Sequence, residues 1–154
     1  MDESQIAREQ EFWDESFDNP KRSSAWGFYA IAKSSAGYYR NLVFKDCESK
    51  IALEFGCSVG VYAFELAKRG ANVTGIDLSQ NAIEAARTRA KAKGVAENTV
   101  FEVMDAEELS FSPGTFDLVY GRSILHHLDM EKALGAIVRI MKPDGRAVFA
   151  SYLV

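Results

Sequence analysis

The sequence predicts an open, doubly wound α/β fold with a mainly parallel sheet, and three observations predict it. From Lys50 onward, short apolar runs alternate with segments at helical spacing. The first run, 51–55, leads into a turn bracketed by Gly56 and Gly60 that opens a helical pattern. Acidic residues, Glu54 and Asp77, stand at the ends of the first two runs, where such sheets bind ligands. Buried runs joined through helices imply right-handed crossovers and a sheet covered on both faces. Five strands in the order 3-2-1-4-5 are expected.

Taken along the chain, residues 1–45 read as a helical cap or lid and 46–154 as the α/β core. The first part holds most of the large aromatics. Ile6, Phe12, Trp13 and Phe17 fall at roughly helical spacing, and Asn19-Pro20 ends that helix. Further helices are expected over 24–33 and 35–44. Strands are expected over 51–55, 72–76, 99–104, 116–120 and 146–153. Helices fall between them at 61–69, 80–93, 107–109 (short) and 130–141. Gly70 and Gly94 occupy C-cap positions and Ser79 an N-cap position, while Pro143 and Gly145 separate the last helix from the last strand.

Bulk properties narrow the function. A chain of 154 residues suits one core, and 47% hydrophobic with 26% charged residues is an ordinary globular composition. A net charge of −4 offers no basic footprint for nucleic acid, and Arg87, Arg89, Lys91 and Lys93 read as a solvated helix face. Cys47 and Cys57 make neither a disulfide framework nor a metal spacing, so no metal site is expected. The acidic start MDESQ is no signal peptide and no run is long enough to span a membrane, which leaves the cytoplasm as the expected compartment.

The turn chemistry selects the ligand. In a dinucleotide fingerprint counted from Gly56, the middle position holds Ser58 and the third holds Val61, whose bulk would obstruct close helix packing. A nicotinamide-dependent reductase is therefore disfavoured. A phosphate-binding P-loop is excluded because no Gly-Lys-Ser/Thr follows. Asp77, about 20 residues after Gly56, is placed to accept ribose hydroxyls. Glu54 beside the turn suits an ammonium group better than a pyrophosphate. A ribose diol combined with a cationic amino acid tail describes S-adenosylmethionine.

The segments EFGCSVG (54–60), VTGIDLS (73–79), FEVMDAE (101–107), FDLV (116–119), ILHHL (124–128) and MKPDGR (141–146) occur in order. Together they resemble the motifs of class I S-adenosylmethionine-dependent methyltransferases, most of all the small-molecule branch. The resemblance implies a Rossmann-like methyltransferase fold and roles for particular residues. Gly56, Cys57 and Gly60 would let backbone approach the methionine part, with Glu54 near its ammonium. Asp77 would hold the ribose and Leu78 cover the adenine. Asp105 would accept from the adenine amino group, with the Ala106 N–H toward a ring nitrogen. Gly121 and Arg122 would offer backbone near the sulfonium.

His126 or His127 is the candidate general base, the alternative being that both merely start a helix. Tyr29, Tyr38 and Tyr39 are the candidate lid or substrate residues. The implied reaction is in-line methyl transfer to a small-molecule acceptor, with S-adenosylhomocysteine as product. The alternative is cofactor binding without turnover. Two departures stand out: Ser58 where glycine is usual, and five strands where the family has seven. The run 146–153 is then an apolar edge, so either another copy covers it or the chain is a truncated form.

Overall fold

The computed structural model describes residues 3–17 and 32–151. Its elements are α1 (Glu3–Phe17), α2 (Ala32–Phe44), β1 (Ile51–Phe55), α3 (Val61–Ala67), β2 (Asn72–Asp77), α4 (Gln80–Ala92), β3 (Thr99–Val103), β4 (Phe116–Arg122), α5 (Met130–Ile140) and β5 (Met141–Ala150). The strands form one sheet in the expected order β3-β2-β1-β4-β5, with every pairing parallel. Side chains alternate across the sheet and separate two cores. On one face Ala52, Val73, Leu118 and Tyr120 pack with Tyr39 and Val43 of α2, Phe64 and Leu66 of α3 and Ile83 and Ala86 of α4. On the other, Leu53, Phe55, Ile76, Phe116 and Val119 pack with Ile137 and Ile140 of α5.

The helix ends follow the sequence signals. The Ser79 side chain accepts from the Ala82 N–H at 3.1 Å and starts α4. Gly70 and Gly94 close α3 and α4 with φ of +86° and +68°. Asp129 caps α5 by accepting from the Glu131 and Lys132 N–H groups at 3.1 and 3.2 Å.

Three expectations change. Pro143 and Gly145 do not separate helix from strand: β5 begins at Met141, directly after α5. The register jumps from Phe116↔Met141 to Leu118↔Arg146, so residues 142–145 form an irregular bulge where proline needs no ladder N–H. A Cβ on Gly145 would lie 2.9 Å from the Lys142 carbonyl oxygen, which fixes glycine there. The short helix at 107–109 is absent. Asp105 Oδ1 instead accepts from the Glu107 N–H at 2.9 Å, a local turn that competes with helix. The segment 1–45 is not a single cap, because α2 belongs to the core: Tyr39 and Val43 are buried, and α2 packs against β5. The helix expected over 24–33 lies largely outside the described residues. So do the side chains of Trp13 and Phe17.

Gly75, in mid-β2, makes room for the Phe101 ring of β3 and for Cys57 of the first turn. A Cβ there would stand 2.8 Å from the Phe101 ring and 2.9 Å from Cys57. Gly75→Ala is expected to destabilise by about 1–3 kcal/mol through overpacking, lowering Tm by roughly 2–10 °C. Gly37→Ala, on the exposed face of α2 with nothing within 4 Å, is expected to stabilise by about 0.5–1 kcal/mol. Thermal melts of the two variants check the contrast.

Candidate functional site

The turn between β1 and α3 is the most constrained backbone of the fold. Gly56, Ser58 and Gly60 all adopt left-handed conformations, with φ of +62°, +48° and +78°. For Ser58 that costs about 1–2 kcal/mol. The Ser58 N–H is fixed by donating to Asp77 Oδ2 at 2.8 Å. Gly60 is required for packing, since a Cβ there would stand 2.8 Å from the Phe101 ring. The Cys57 N–H donates to the Ile76 carbonyl at 2.9 Å, and its side chain is buried against Gly75. Burial, followed by the charges of Glu54 and Asp77, pushes the Cys57 thiol well above its ordinary pKa. The thiol is inert.

A cavity of about 210 Å³ opens at the carboxyl ends of β1, β2, β3 and β4. Gly56 and Ser58 line one side. Residues 76–79 and 104–106 line the second, and residues 122–124 with His127 and Leu128 the third. Glu9 of α1 completes the wall. Asp77 ends β2 with Oδ2 on the Ser58 N–H and Oδ1 on the Ser79 N–H at 3.0 Å. A carboxylate has about four acceptor positions, so these two hydrogen bonds do not by themselves exhaust it. Asp105 differs: Oδ2 is buried and has no hydrogen-bond partner among the described residues. A buried acceptor left unpaired costs about 1–3 kcal/mol, and the residue that carries it lines the cavity.

A family described as "Methyltransferase domain" matches residues 53–149. The chain is 34% identical over 103 residues to a ubiquinone biosynthesis O-methyltransferase of Pectobacterium carotovorum, covering 66% of this chain and 43% of that protein. It is 41% identical over 100 residues to an S-adenosyl-L-methionine-dependent Diels-Alderase of Talaromyces variabilis, covering 61% and 33%. The crystal structure of the YcgJ protein from Bacillus subtilis superposes with a TM-score of 0.68 at 30% identity, covering 73% of this chain and 50% of that one. The chain belongs to the class I S-adenosylmethionine-dependent methyltransferases. It spans about two fifths of the length of the curated relatives it matches.

Within this methyltransferase domain, Gly56, Asp77, Leu78, Asp105, Ala106, Arg122 and His127 meet around the cavity. Cys57, Gly60 and Gly121 do not line it. A Cβ on Gly121 would lie 2.8 Å from both Ile124 and the Phe149 ring, so that glycine serves packing. Val61 is 58% exposed at the start of α3 and does not come between helix and strand, so the steric objection to a dinucleotide drawn from it fails. His126 turns away, its Nδ1 3.0 Å from Ser151 Oγ. The two histidines form a single 3-10 turn ahead of α5 and do not start that helix.

Tyr39 corrects the lid expectation: it is buried edge-on against Tyr62 and faces the core. Tyr38 is 68% exposed and away from the cavity lining, and Tyr29 lies outside the described residues. The missed residues are Glu9 and Asp14 of α1. Asp14 accepts from the Ser79 hydroxyl and from the Asn81 N–H, tying α1 to the start of α4. Both acids share the half-buried face of α1 with Ile6, a spacing the sequence did carry.

Glu54 lies buried beneath the turn, outside the cavity lining. Its Oε2 accepts from the Ala63 N–H and the Tyr120 hydroxyl, both at 3.1 Å. Burial pushes its pKa up to about 8, against the lowering effect of these two hydrogen bonds and with a smaller upward push from Asp77. The folded state therefore holds a proton that the unfolded chain loses near its ordinary carboxylate pKa. Stability is full below that value and falls as pH rises toward 8. Glu54→Gln keeps an acceptor for both donors and removes the titration. Melting curves from pH 5 to 9 are expected to decline for the wild type and to flatten for the variant.

Proposed function

We propose that this domain binds S-adenosylmethionine and transfers its methyl group to a small-molecule acceptor. The observation that carries the proposal is the buried Asp105 Oδ2, without a hydrogen-bond partner among the described residues, on a residue that lines the cavity. An exocyclic amine donor there satisfies it, and Asp77 on the neighbouring strand end is placed for a ribose diol. Leu78 and Ala106 supply an apolar edge and a backbone N–H beside them. Gly56, lacking a side chain, leaves room for the tail. Helix α1 covers the cavity, with Glu9 in its wall.

When bound, the cofactor supplies a methyl group already activated on sulfur, so the protein contributes position, water exclusion and proton transfer. His127 is the proton acceptor for an O–H or N–H nucleophile. Burial first, then the neighbouring His126, lowers its pKa, and Glu9 raises it by less. The imidazole is thus neutral and basic at pH 7. A small acceptor suits a chain of net charge −4 and agrees with its similarity to an O-methyltransferase of ubiquinone biosynthesis.

A second reading is cofactor binding without methyl transfer, favoured by the 41% identity to a Diels-Alderase that depends on the same cofactor. The two separate cleanly: labelled methyl leaves the cofactor in the first and never in the second.

Asp105→Asn keeps Oδ1 for the Glu107 N–H and turns a second donor toward the ligand amine. S-adenosylhomocysteine affinity, measured by calorimetry, is expected to fall about 10- to 100-fold, the loss of one charge-assisted hydrogen bond, with Tm nearly unchanged. His127→Gln is expected to leave that affinity intact and lower kcat by about 10²–10⁴. In the wild type the acid limb of the rate profile falls below pH 6.5, because protonation must overcome the depressed pKa. In the variant that limb disappears.

A further inference from the structure

We propose that Glu9 is a positioning residue for the proton acceptor: α1 brings its carboxylate to the His127 imidazole, so the base is complete only with α1 docked. The inference rests on the reading of His127 as proton acceptor given above. Helix periodicity places Glu9. Ile6, Glu9, Gln10 and Asp14 share one side of α1 and are half-buried, while Ala7, Arg8, Glu11 and Phe12 are exposed. Asp14 fastens that side to α4, accepting from the Ser79 hydroxyl and from the Asn81 N–H. Nearer the start of the same helix, Glu9 lines the cavity that His127 also lines.

His127 is held by other elements. Its N–H donates to the Ile124 carbonyl at 3.0 Å, closing the turn between β4 and α5. Its ring lies against that of His126, with centroids 4.0 Å apart, and His126 Nδ1 is 3.0 Å from Ser151 Oγ. The Asp129 N–H donates to Glu107 Oε1 at 2.8 Å, and the Asp129 carboxylate caps α5. The turn is thus tied to the end of β5 and to the segment after β3, whereas Glu9 arrives on a separate helix.

The charges around the ring decide what Glu9 does. Asp77, Asp105 and Arg122 line the cavity with it, His126 stands beside it on the same turn, and Glu107 and Asp129 meet at the start of α5. Burial and then His126 weaken the hold of the imidazole on a proton, and Glu9 is the group that strengthens it. In the reaction the acceptor atom takes the methyl group, the S–C bond electrons return to sulfur, and the acceptor's proton passes to His127. Positive charge therefore disappears at sulfur and appears on the imidazole. A carboxylate near the ring stabilises that developing cation and offsets the repulsion from His126.

The test follows the His127 ring by NMR from about pH 4 to 8 and needs no methyl acceptor. The signal lost in His127→Gln assigns the resonance. Glu9→Gln is expected to move the His127 midpoint to lower pH with Tm nearly unchanged, and Glu9→Asp to move it by less. Salt raised to about 1 M should narrow the gap between wild type and Glu9→Gln, since the screening length there is about 3 Å. Asp14→Ala, which loosens α1, should shift the midpoint in the same direction. A midpoint unmoved or raised in Glu9→Gln would overturn the proposal. One unmoved in Asp14→Ala would overturn the dependence on docking. The proton-acceptor reading fails separately, if His127→Gln transfers methyl groups as fast as wild type.

Discussion

One carboxylate holds the ligand crevice together. Asp77 accepts from the Ser58 N–H with one oxygen and from the Ser79 N–H with the other, joining the turn after β1 to the start of α4. The parallel register of β1 and β2 pairs Phe55 with Ile76, which makes this bridge possible by ending both strands at one level. The left-handed strain at Ser58 persists because Asp77 fixes its N–H. Ser79 in turn caps α4 and contacts Asp14 of α1. Turn, helix cap and covering helix are thus linked through residues within one strand end.

The same geometry concentrates acids. Glu54, Asp77 and Asp105 end or follow three adjacent strands, and three nearby negative charges would repel one another. Glu54 relieves part of this by burial, which keeps it protonated near neutral pH while Tyr120 and Ala63 fix its orientation. Arg122 supplies positive charge on the same sheet face. Asp77 and Asp105 line the cavity. An incoming nucleoside with hydroxyl and amine donors meets acceptors carried on adjacent strand ends.

Much of this was legible in the sequence where a local rule governs. Strand order followed from alternating runs and helices. Gly70, Gly94 and Ser79 marked helix ends because left-handed caps and side-chain caps are local chemistry. The gathering of Asp77, Leu78, Asp105 and Ala106 followed from motif spacing. Apart from the local turn at Asp105 that replaced the 107–109 helix, what failed depended on neighbours distant in sequence. Pro143 reads as a breaker, yet the bulge opposite Phe116 and Leu118 absorbs it. Tyr39 reads as a lid aromatic, yet Tyr62 and the β4 face bury it. Val61 reads as an obstruction only if it points inward, and the left-handed Gly60 before it opens the helix with that side chain outward. Glu9 carries no motif at all; its place at the cavity arises from the docking of α1 on α4.

The central claim is that an adenosine lies across the ends of β1, β2 and β3 between Asp77 and Asp105. Amide chemical shifts recorded while S-adenosylhomocysteine is titrated in test it most directly. The claim predicts a contiguous set of perturbed amides covering Gly56, Ser58, Leu78, Asp105 and Ala106, with α5 largely still. Perturbations confined to α5 and β5, or none at millimolar ligand, would contradict it.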